Sequence, residues 1–331
     1  MSPAAAPASG LVHDALFYDD DEALLATAVP FVREGVERGE VVLVNTGSHP
    51  VTALLKAMFA EQESVLFPNA AVYARPVSAI DQYKRALDTG LADDVPAFRA
   101  IGHIDFGDGL PWQEWVRYEA AVNLVFADYP FETMCPYDSR TLAPEIITAM
   151  KQAHPWLLQD GRRLRNPEYV DPVELATKPE YAEPVHPLQA TPPELELDEI
   201  TDVRTLRMDL YPVTIFTELP RHKVDDFVKA VSAIASNAQI HGEEPVCVRL
   251  WTTPNELLAT VTDQGHGVDD PFKGYARSIG NARTHSVSTH EGLGMWAARQ
   301  LCDILDYERT DDGFTVRLVA YTGNDAWADH T

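Results

Sequence analysis

The sequence predicts an N-terminal α/β domain followed by a C-terminal domain that also mixes helices and strands. Strands and helices alternate through residues 11–166, seven prolines lie in Pro167–Pro193, and a second apolar pattern fills residues 206–321. With 331 residues, the chain is long enough for two domains that each bury a core. The predicted order is a flexible tail (1–10), an N-terminal domain (11–166), a proline-rich acidic linker (167–205), a C-terminal domain (206–321) and a second tail (322–331).

The elements of the N-terminal region follow from apolar spacing and from capping residues. His13–Tyr18 and Val41–Asn45 are predicted strands, and the helix between them is capped by Asp19–Asp21 and ends before Gly39. Further predicted elements are the helix Val51–Phe59 with Leu54, Leu55 and Met58 on one side, the helix Trp112–Ala127, the strand Phe131–Pro136 and the helix Pro144–Ala153. Interleaved strands and helices indicate a mostly parallel sheet.

The loop Thr46–Pro50 lies between a strand and a helix, where a phosphate-binding P-loop would lie. A P-loop needs glycines, a lysine and a serine or threonine, so that backbone N–H groups and the lysine can hold phosphates. The loop reads Thr-Gly-Ser-His-Pro and lacks the Gly-Lys-Ser/Thr sequence. We therefore predict a plain connection without nucleotide binding.

Composition narrows the range of functions. The formal net charge of −25 disfavours direct contact with nucleic acid or anionic lipid and makes a basic protein partner electrostatically easier. No apolar run reaches the roughly 20 residues that span a bilayer, and Met1–Gly10 does not resemble a signal peptide. The three cysteines show no metal-ligand spacing, and Cys135 is expected to be a buried thiol. We expect a cytoplasmic protein.

Histidines and the residues at strand ends are further candidates for ligand sites. The histidines of the N-terminal region are too scattered along the sequence to predict a metal site: His13, His49, His103 and His154. Tyr137 and Asp138 follow a strand, where α/β sheets often place pocket residues, although surface positions would look the same.

Three motifs stand in a fixed order in the C-terminal region. The first is a helix over Lys223–His241, whose core stripe lies beside a second stripe of Ala233, Asn237 and His241. An asparagine next to an apolar face is costly unless it is paired, and a metal ion that bridges phosphates would pair it.

The second and third motifs are rich in glycine. The strand Leu257–Val261 runs into Asp263-Gln264-Gly265-His266-Gly267, where the carboxylate can accept a hydrogen bond from an adenine amino group. Gly292 and Gly294 open a predicted helix, Met295–Leu305, whose N-terminus would favour phosphate. The polar segment Asp269–His290 between them has the character of a mobile lid. Alone, each motif is more often a turn or a packing feature; the ordered set is specific.

This ordered set resembles the GHKL (Bergerat-type) ATP-binding fold and, within it, the anti-sigma-factor serine kinases, over about Glu218–Ala320. The resemblance implies an α+β domain that binds ATP and Mg²⁺. It assigns Asn237 to Mg²⁺, Asp263 to adenine, Gly265 and Gly267 to the base, and Gly292 and Gly294 to the phosphates. In one departure, the family's glutamate four residues before the asparagine is Ala233 here. Since an alanine cannot act as a base, phosphoryl transfer is expected to be weak or absent.

The N-terminal region more loosely resembles the MEDS domain, the methanogen/methylotroph DcmR sensory domain. The residues that carry the resemblance are His13, Phe17-Tyr18, Pro30–Gly35, Tyr118–Ala120, Asn123, Cys135–Asp138 and His154-Pro155. The resemblance implies a RecA-like fold without a P-loop, fused to an anti-sigma-type ATPase module.

Together these features predict a signalling regulator that binds ATP and controls a sigma factor by protein contact, gated by its N-terminal domain. The alternative is an active serine kinase that phosphorylates an anti-anti-sigma antagonist. A small-molecule enzyme lacks a nucleophile–base pair, and no dimerisation hairpin precedes His222 to favour a two-component kinase. The sequence leaves the oligomeric state open, with a homodimer as one option.

Overall fold

The computed structural model of the chain describes residues 10–47, 49–68, 73, 75–106, 111–182, 185–277, 293–310 and 313–322. These residues form two compact units, one up to Tyr181 and one from Ala182 onward. In the described part of the chain, no helix combines the length and apolar character needed to cross a membrane.

The first unit is built on a seven-stranded sheet. Its strands are β1 (Val12–Tyr18), β2 (Val41–Asn45), β3 (Val65–Leu66), β4 (Phe98–Gly102), β5 (Phe131–Asp138), β6 (Trp156–Gln159) and β7 (Arg162–Arg165). Their order is β3-β2-β4-β5-β1-β6-β7. All neighbours pair in parallel except β6 and β7, which form an antiparallel hairpin. The predicted α/β class is confirmed.

The helices of this unit are α1 (Asp21–Glu37), α2 (Val51–Met58), α3 (Pro76–Ala92), α4 (Trp112–Val125), α5 (Pro144–Ala153) and α6 (Pro172–Ala176). Helix α1 begins as predicted, because the Asp20 carboxylate accepts a hydrogen bond from the Ala23 N–H at 2.7 Å. It ends before Gly39, which adopts a φ of 72°. In α2, Leu55 is buried, whereas Leu54 and Met58 are exposed, so the predicted apolar side of this helix is wrong.

Strand β4 carries a buried arginine at the centre of an ion-pair network. The Nε of Arg99 donates to Glu40 at 2.5 Å, and its Nη1 donates to Glu34 at 3.1 Å and to the Phe31 carbonyl at 3.2 Å. Glu40 is as fully buried as Arg99. The sequence did not predict β4, because a charged residue in its second position interrupts the apolar pattern.

The second unit has a five-stranded antiparallel sheet. Its strands are β8 (Leu195–Leu197), β9 (Cys247–Thr253), β10 (Glu256–Asp263), β11 (Ile304–Thr310) and β12 (Gly313–Tyr321), in the order β11-β12-β10-β9-β8. Its helices are α7 (Val203–Thr214), α8 (Arg221–His241) and α9 (Leu293–Leu301). This architecture confirms the predicted α+β class. The predicted extension of the last helix to Leu305 is wrong, because Leu305 lies in β11.

Helix α8 buries the stripe predicted for it against this sheet. The buried members of the stripe are Val224, Phe227, Val228, Val231, Ile234, Ala235 and Ala238. At the N-terminal end of the helix, the buried Lys223 lies 3.4 Å from the Asp303 carboxylate and donates to the Tyr321 carbonyl at 2.7 Å. These contacts fix α8 to the start of β11 and the end of β12.

The segment 167–205, predicted as a linker, contains regular structure. It holds α6, two 3₁₀ turns at Pro179–Tyr181 and Pro187–Ala190, and strand β8, which pairs with β9. Pro172, Pro179 and Pro187 each begin a helix or a 3₁₀ turn, where a proline needs no backbone donor. The domain boundaries drawn from the sequence stay a prediction.

Candidate functional site

A cleft of about 190 Å³ opens in the second unit between α8, α9, the end of β10 and the beginning of β12. Three of the residues predicted for the site line it, namely Asn237, Asp263 and Gly267. The other lining residues are Ile234, Ala238, His241, Gly242, Val261, Val268, Lys273, Met295, Phe314 and Val316. The cleft is therefore largely apolar, with a few polar groups at defined positions, which is the usual composition of a small-molecule site.

Asp263 ends β10 and is buried in the cleft wall. Its Oδ1 accepts hydrogen bonds from the Gly265 N–H at 2.7 Å and from the Glu243 N–H at 3.4 Å. Among the described residues, no hydrogen bond reaches its Oδ2. One oxygen thus fixes the carboxylate, while the other is free to accept a hydrogen bond from a ligand.

The glycines after Asp263 pack too closely to carry a side chain. A Cβ on Gly265 would lie 2.7 Å from the Asp263 Oδ1. Gly267 adopts a φ of 64°, and a Cβ there would overlap the Phe314 ring. Both positions therefore exclude side chains, and the Gly267 backbone itself lines the cleft.

Gly294 brings the first turn of α9 against Asn237 of α8. A Cβ on Gly294 would overlap the carboxamide and lie 2.7 Å from its Cγ. Asn237 is half-buried and forms no side-chain hydrogen bond with any other described residue. The Asn237 carboxamide is therefore available to a ligand beside the N-terminal turn of α9. Gly292 lies outside the described residues.

The acid–base groups near Asn237 are few. Ala233 lies one turn earlier on α8, and Glu243 and Glu244 beyond the helix are exposed to solvent. Asp263 is the only acidic residue among the described residues that line the cleft. Lys273 also lines the cleft but is not among the residues predicted from the sequence. Its position in the polar segment after the Asp-Gln-Gly-His-Gly motif is the sequence feature that could have indicated it.

The segment predicted as a mobile lid begins with a packed turn. Phe272 and Tyr275 are buried, and the Arg299 guanidinium donates to the Lys273 carbonyl at 3.1 Å and covers the Tyr275 ring. Gly274 allows this turn with a φ of 86°. Lys273 and Tyr275 are thus held against Arg299 of α9, and residues 278–290 of the predicted lid lie outside the described residues.

The first unit has a separate cavity of about 370 Å³ at the carboxyl ends of β4 and β5. Tyr137 and Asp138 line it, in keeping with the pocket interpretation of this strand end. His103 lines the cavity too. The pKa of His103 is lowered mainly by burial and, to a smaller extent, by the nearby His49. At neutral pH the cavity therefore presents an uncharged imidazole.

Two of the histidines that are too scattered along the sequence to predict a metal site lie side by side in the structure. His13 on β1 and His154 after α5 lie with ring centroids 4.0 Å apart. Cys135, predicted as a buried thiol, is buried beside them. Parallel pairing of β1 with β5 produces this meeting, which no local spacing in the sequence reveals.

Comparison with protein families assigns both units. Residues 12–155 match the profile of MEDS, the methanogen/methylotroph, DcmR sensory domain. Residues 198–320 match the profile of the histidine kinase-like ATPase domain. The chain carries a MEDS domain followed by a histidine kinase-like ATPase domain. Both resemblances inferred from the sequence are confirmed, and the cleft described above lies in the ATPase domain.

Comparisons with individual proteins add little detail. A search of curated proteins finds no significant match. Among solved structures, the chain is similar to the crystal structure of the RsbU and RsbW domains of Rv1364c from Mycobacterium tuberculosis, at 21% sequence identity and a TM-score of 0.27. The alignment covers 40% of this chain and 32% of that chain.

Proposed function

We propose that the ATPase domain binds ATP with Mg²⁺ in its cleft, and that the chain controls a sigma factor by protein contact under the influence of the MEDS domain. The observation that carries the nucleotide part is the Asp263 carboxylate. It is buried, one oxygen is fixed by the Gly265 N–H, and the other has no hydrogen bond within the described structure. A carboxylate oxygen that faces an apolar cleft can accept a hydrogen bond from a ligand donor that enters it.

The cleft suits an adenine ring at this end. The apolar walls include Ile234, Val261 and Phe314, which can contact both faces of a planar base. A carboxylate acceptor pairs with the exocyclic amino group of adenine, whereas guanine presents a carbonyl oxygen at the equivalent position. We therefore expect the site to select adenine nucleotides over guanine nucleotides.

The opposite end of the cleft suits phosphate and a metal ion. Asn237 offers a carboxamide oxygen, a hard ligand of the kind that Mg²⁺ accepts. Gly294 leaves the first turn of α9 without a side chain beside Asn237, and free N–H groups at a helix N-terminus favour phosphate. Lys273 supplies a positive charge at the cleft. The bound metal would neutralise phosphate charge; these residues would hold and orient the triphosphate.

The same geometry argues against rapid phosphoryl transfer. General-base help is worth roughly 10²–10⁴ in rate, and Ala233 cannot provide it. Glu243 and Glu244 face solvent, which supports a surface role over catalysis. The second candidate function, a serine kinase acting on an anti-anti-sigma antagonist, would need a base from elsewhere. Nucleotide binding without efficient transfer is the function that the cleft favours.

Exposed apolar side chains on α7 and directly after it support a role in protein contact. Met208 lies on α7, and Ile215 and Phe216 follow its last residue, Thr214; these three side chains, here called the α7 surface, expose 74%, 63% and 75% of their area. Contiguous exposed apolar side chains mark interaction sites. The formal charge of −25 favours a partner with basic character. A sigma factor, its antagonist or a second copy of the chain could each cover this α7 surface.

The MEDS domain would supply the signal. Its cavity of about 370 Å³ combines Phe106, Pro136 and Leu142 with the polar groups His103, Asp138 and Thr141. This mixture suits a small organic molecule with one or two polar groups. Binding at this cavity would bias the affinity of the ATPase domain for its partner, and coupling of that kind is typically about 1–3 kcal/mol.

The nucleotide part is tested by thermal unfolding of the full-length protein with Mg-ATP and with Mg-GTP. A ligand at about 100 times its Kd stabilises by about 2.7 kcal/mol, which corresponds to a rise of several degrees in Tm. We expect this rise with ATP and a much smaller one with GTP. Equal shifts for the two nucleotides would contradict the role of Asp263 in base recognition.

The partner part is tested by capture from a lysate of the native cell, followed by identification of the retained protein. We expect a sigma factor or an antagonist, and we expect Phe216→Glu to reduce its retention. Val185→Glu is the matched control, because Val185 is similarly exposed but lies in an earlier segment of the chain and is not part of the α7 surface. Retention of the same partner by Phe216→Glu at parental affinity would exclude the α7 surface as the contact.

A further inference from the structure

Four potential metal ligands converge in the core of the MEDS domain. They are His13 on β1, Glu119 on α4, Cys135 on β5 and His154 directly after α5. One ligand atom from each lies within 4.8 Å of all the others. All four side chains are buried, with exposures between 0% and 5%. Such a concentration of polar atoms in a core requires compensation.

The distances fit the edges of a coordination tetrahedron. The Nε2 of His13 lies 3.1 Å from the Glu119 Oε2 and 3.5 Å from the Cys135 Sγ. The Nε2 of His154 lies 3.6 Å from the same Glu119 oxygen. Zinc–ligand bonds of about 2.0–2.3 Å at tetrahedral angles place ligand atoms roughly 3.3–3.6 Å apart. Three of the six ligand–ligand distances thus lie close to this arrangement, and none of the six exceeds 4.8 Å.

The surrounding hydrogen bonds orient His13 as a ligand. The Nδ2 group of Asn123 donates to the carbonyls of Glu119 and Ala153, so its Oδ1 must act as an acceptor. The Nδ1–H of His13 donates to this Oδ1 at 3.0 Å. Nδ1 therefore carries a hydrogen, which leaves Nε2, the nitrogen that faces the cluster, as the atom that can ligate a metal ion.

His154 and Glu119 are oriented in the same way. The Nδ1–H of His154 donates to the Met150 carbonyl at 2.6 Å, which leaves the lone pair on Nε2. The Tyr137 hydroxyl donates to the Glu119 Oε1 at 2.7 Å and turns Oε2 towards the histidines. Each of these three ligands thus has a supporting partner on its other polar atom, which is characteristic of protein metal sites.

Two of the converging atoms have no hydrogen-bond partner. They are the Oε2 of Glu119 and the Nε2 of His154, and both are fully shielded from solvent. An orphaned buried carboxylate oxygen next to an orphaned imidazole nitrogen is unfavourable for protein atoms alone. A cation at the centre of the cluster would satisfy both.

We propose that His13, Glu119, Cys135 and His154 bind a zinc ion in the core of the MEDS domain. Two imidazoles, one carboxylate and one thiolate form a mixed N/O/S ligand set, which suits zinc and its preference for four ligands. Because four protein ligands complete the coordination and all are buried, the site is closed and structural. The ion ties β1 and β5 to α4 and to the end of α5.

The same residues could be interpreted as a nucleophilic triad of Cys135, His13 and Asn123. The Sγ–Nε2 distance of 3.5 Å and the hydrogen bond from His13 to Asn123 resemble that arrangement. A nucleophile must reach a substrate, however, and both Cys135 and His13 are buried. That interpretation also leaves His154 and Glu119 without a role. The metal interpretation uses all four residues.

The test is the metal content of the full-length protein, purified without a metal-affinity tag. Elemental analysis should find about one zinc ion per chain. The near-isosteric variants Cys135→Ser and Glu119→Gln should each retain less than roughly a tenth of that amount. Cys302→Ser and His103→Asn are the matched controls. Cys302 is a buried cysteine and His103 lines a separate cavity, and neither belongs to the cluster. Both controls should keep parental zinc.

A second measurement covers variants that fail to fold. The parent protein, stripped with a chelator, should lose roughly 5 °C or more in Tm and recover it with Zn²⁺ but not with Mg²⁺. Replacement by Co²⁺ should give a thiolate-to-cobalt charge-transfer band that requires Cys135. A parent protein that is folded, metal-free and unaffected by Zn²⁺ would overturn the proposal. Rapid alkylation of Cys135 in the native zinc-treated protein would do so as well, in favour of a reactive thiol.

Discussion

The substitution Asp263→Asn should weaken ATP binding without weakening the fold. The asparagine Oδ1 can still accept from the Gly265 and Glu243 N–H groups, which now hold the carboxylate at 2.7 and 3.4 Å. The other side-chain atom changes from an acceptor to an amino donor. A base amino group that approaches it would then meet a donor in place of a carboxylate oxygen.

The magnitude follows from the loss of one hydrogen bond to a charged group. Such a bond contributes about 1.5–3 kcal/mol, so the Kd for ATP should rise roughly 10- to 150-fold. The free energy of unfolding without nucleotide should change by less than about 1 kcal/mol, because both backbone hydrogen bonds remain. Asp263→Ala removes the acceptor altogether, leaves the Gly265 N–H unpaired, and should destabilise the domain by about 1–3 kcal/mol.

Calorimetric titration with Mg-ATP and urea unfolding measure the two effects separately. Asp270→Asn is the matched control, because the Asp270 Oδ1 accepts from the Phe272 N–H in a similar turn outside the cleft. It should leave the Kd unchanged. An Asp263→Asn variant that binds ATP like the parent would refute the assignment of Asp263 to the base.

Three further substitutions test other parts of the structure. Gly294→Ala should displace the Asn237 carboxamide and raise the Kd for Mg-ATP about tenfold or more. The Tm should stay level or rise, because alanine favours a helix. Calorimetry and thermal unfolding measure the two effects, and an unchanged Kd would contradict this prediction. Ala233→Glu should increase phosphate transfer to an antagonist serine if a missing base is the limitation, and radiolabel transfer no faster than in the parent would exclude that reason. Arg99→Met should destabilise the MEDS domain by about 3–5 kcal/mol in urea unfolding. The control Arg85→Met, at an exposed ion pair, should cost less than about 1 kcal/mol. Equal losses would contradict the stabilising role of the buried ion pairs of Arg99.

The fold could be predicted where local signals agree with the tertiary environment. Asp20 caps α1 and Gly39 ends it, and the stripe on α8 has an unbroken helical spacing. The prediction failed where burial contradicts residue type, as at Arg99 in β4, which only its ion pairs make tolerable. It also failed at Leu305, where an apolar run continues from helix α9 into strand β11.

The two candidate sites differ in how far the sequence could reveal them. The ATPase cleft was predictable because Asn237, Asp263 and Gly294 belong to motifs whose short spacings reflect local geometry. The MEDS cluster was not, since Cys135 and His13 lie 122 residues apart and meet only through strand pairing. A buried cluster of this kind becomes visible only when the register of β1 against β5 is known.

The most direct test of the central claim is a calorimetric titration of the full-length protein with Mg-ATP. The proposed function predicts saturable binding of about one nucleotide per chain, with weaker binding in Asp263→Asn and in Gly294→Ala. A cooperatively folded parent protein that shows neither heat of binding nor a shift in Tm at about 1 mM ATP would contradict it.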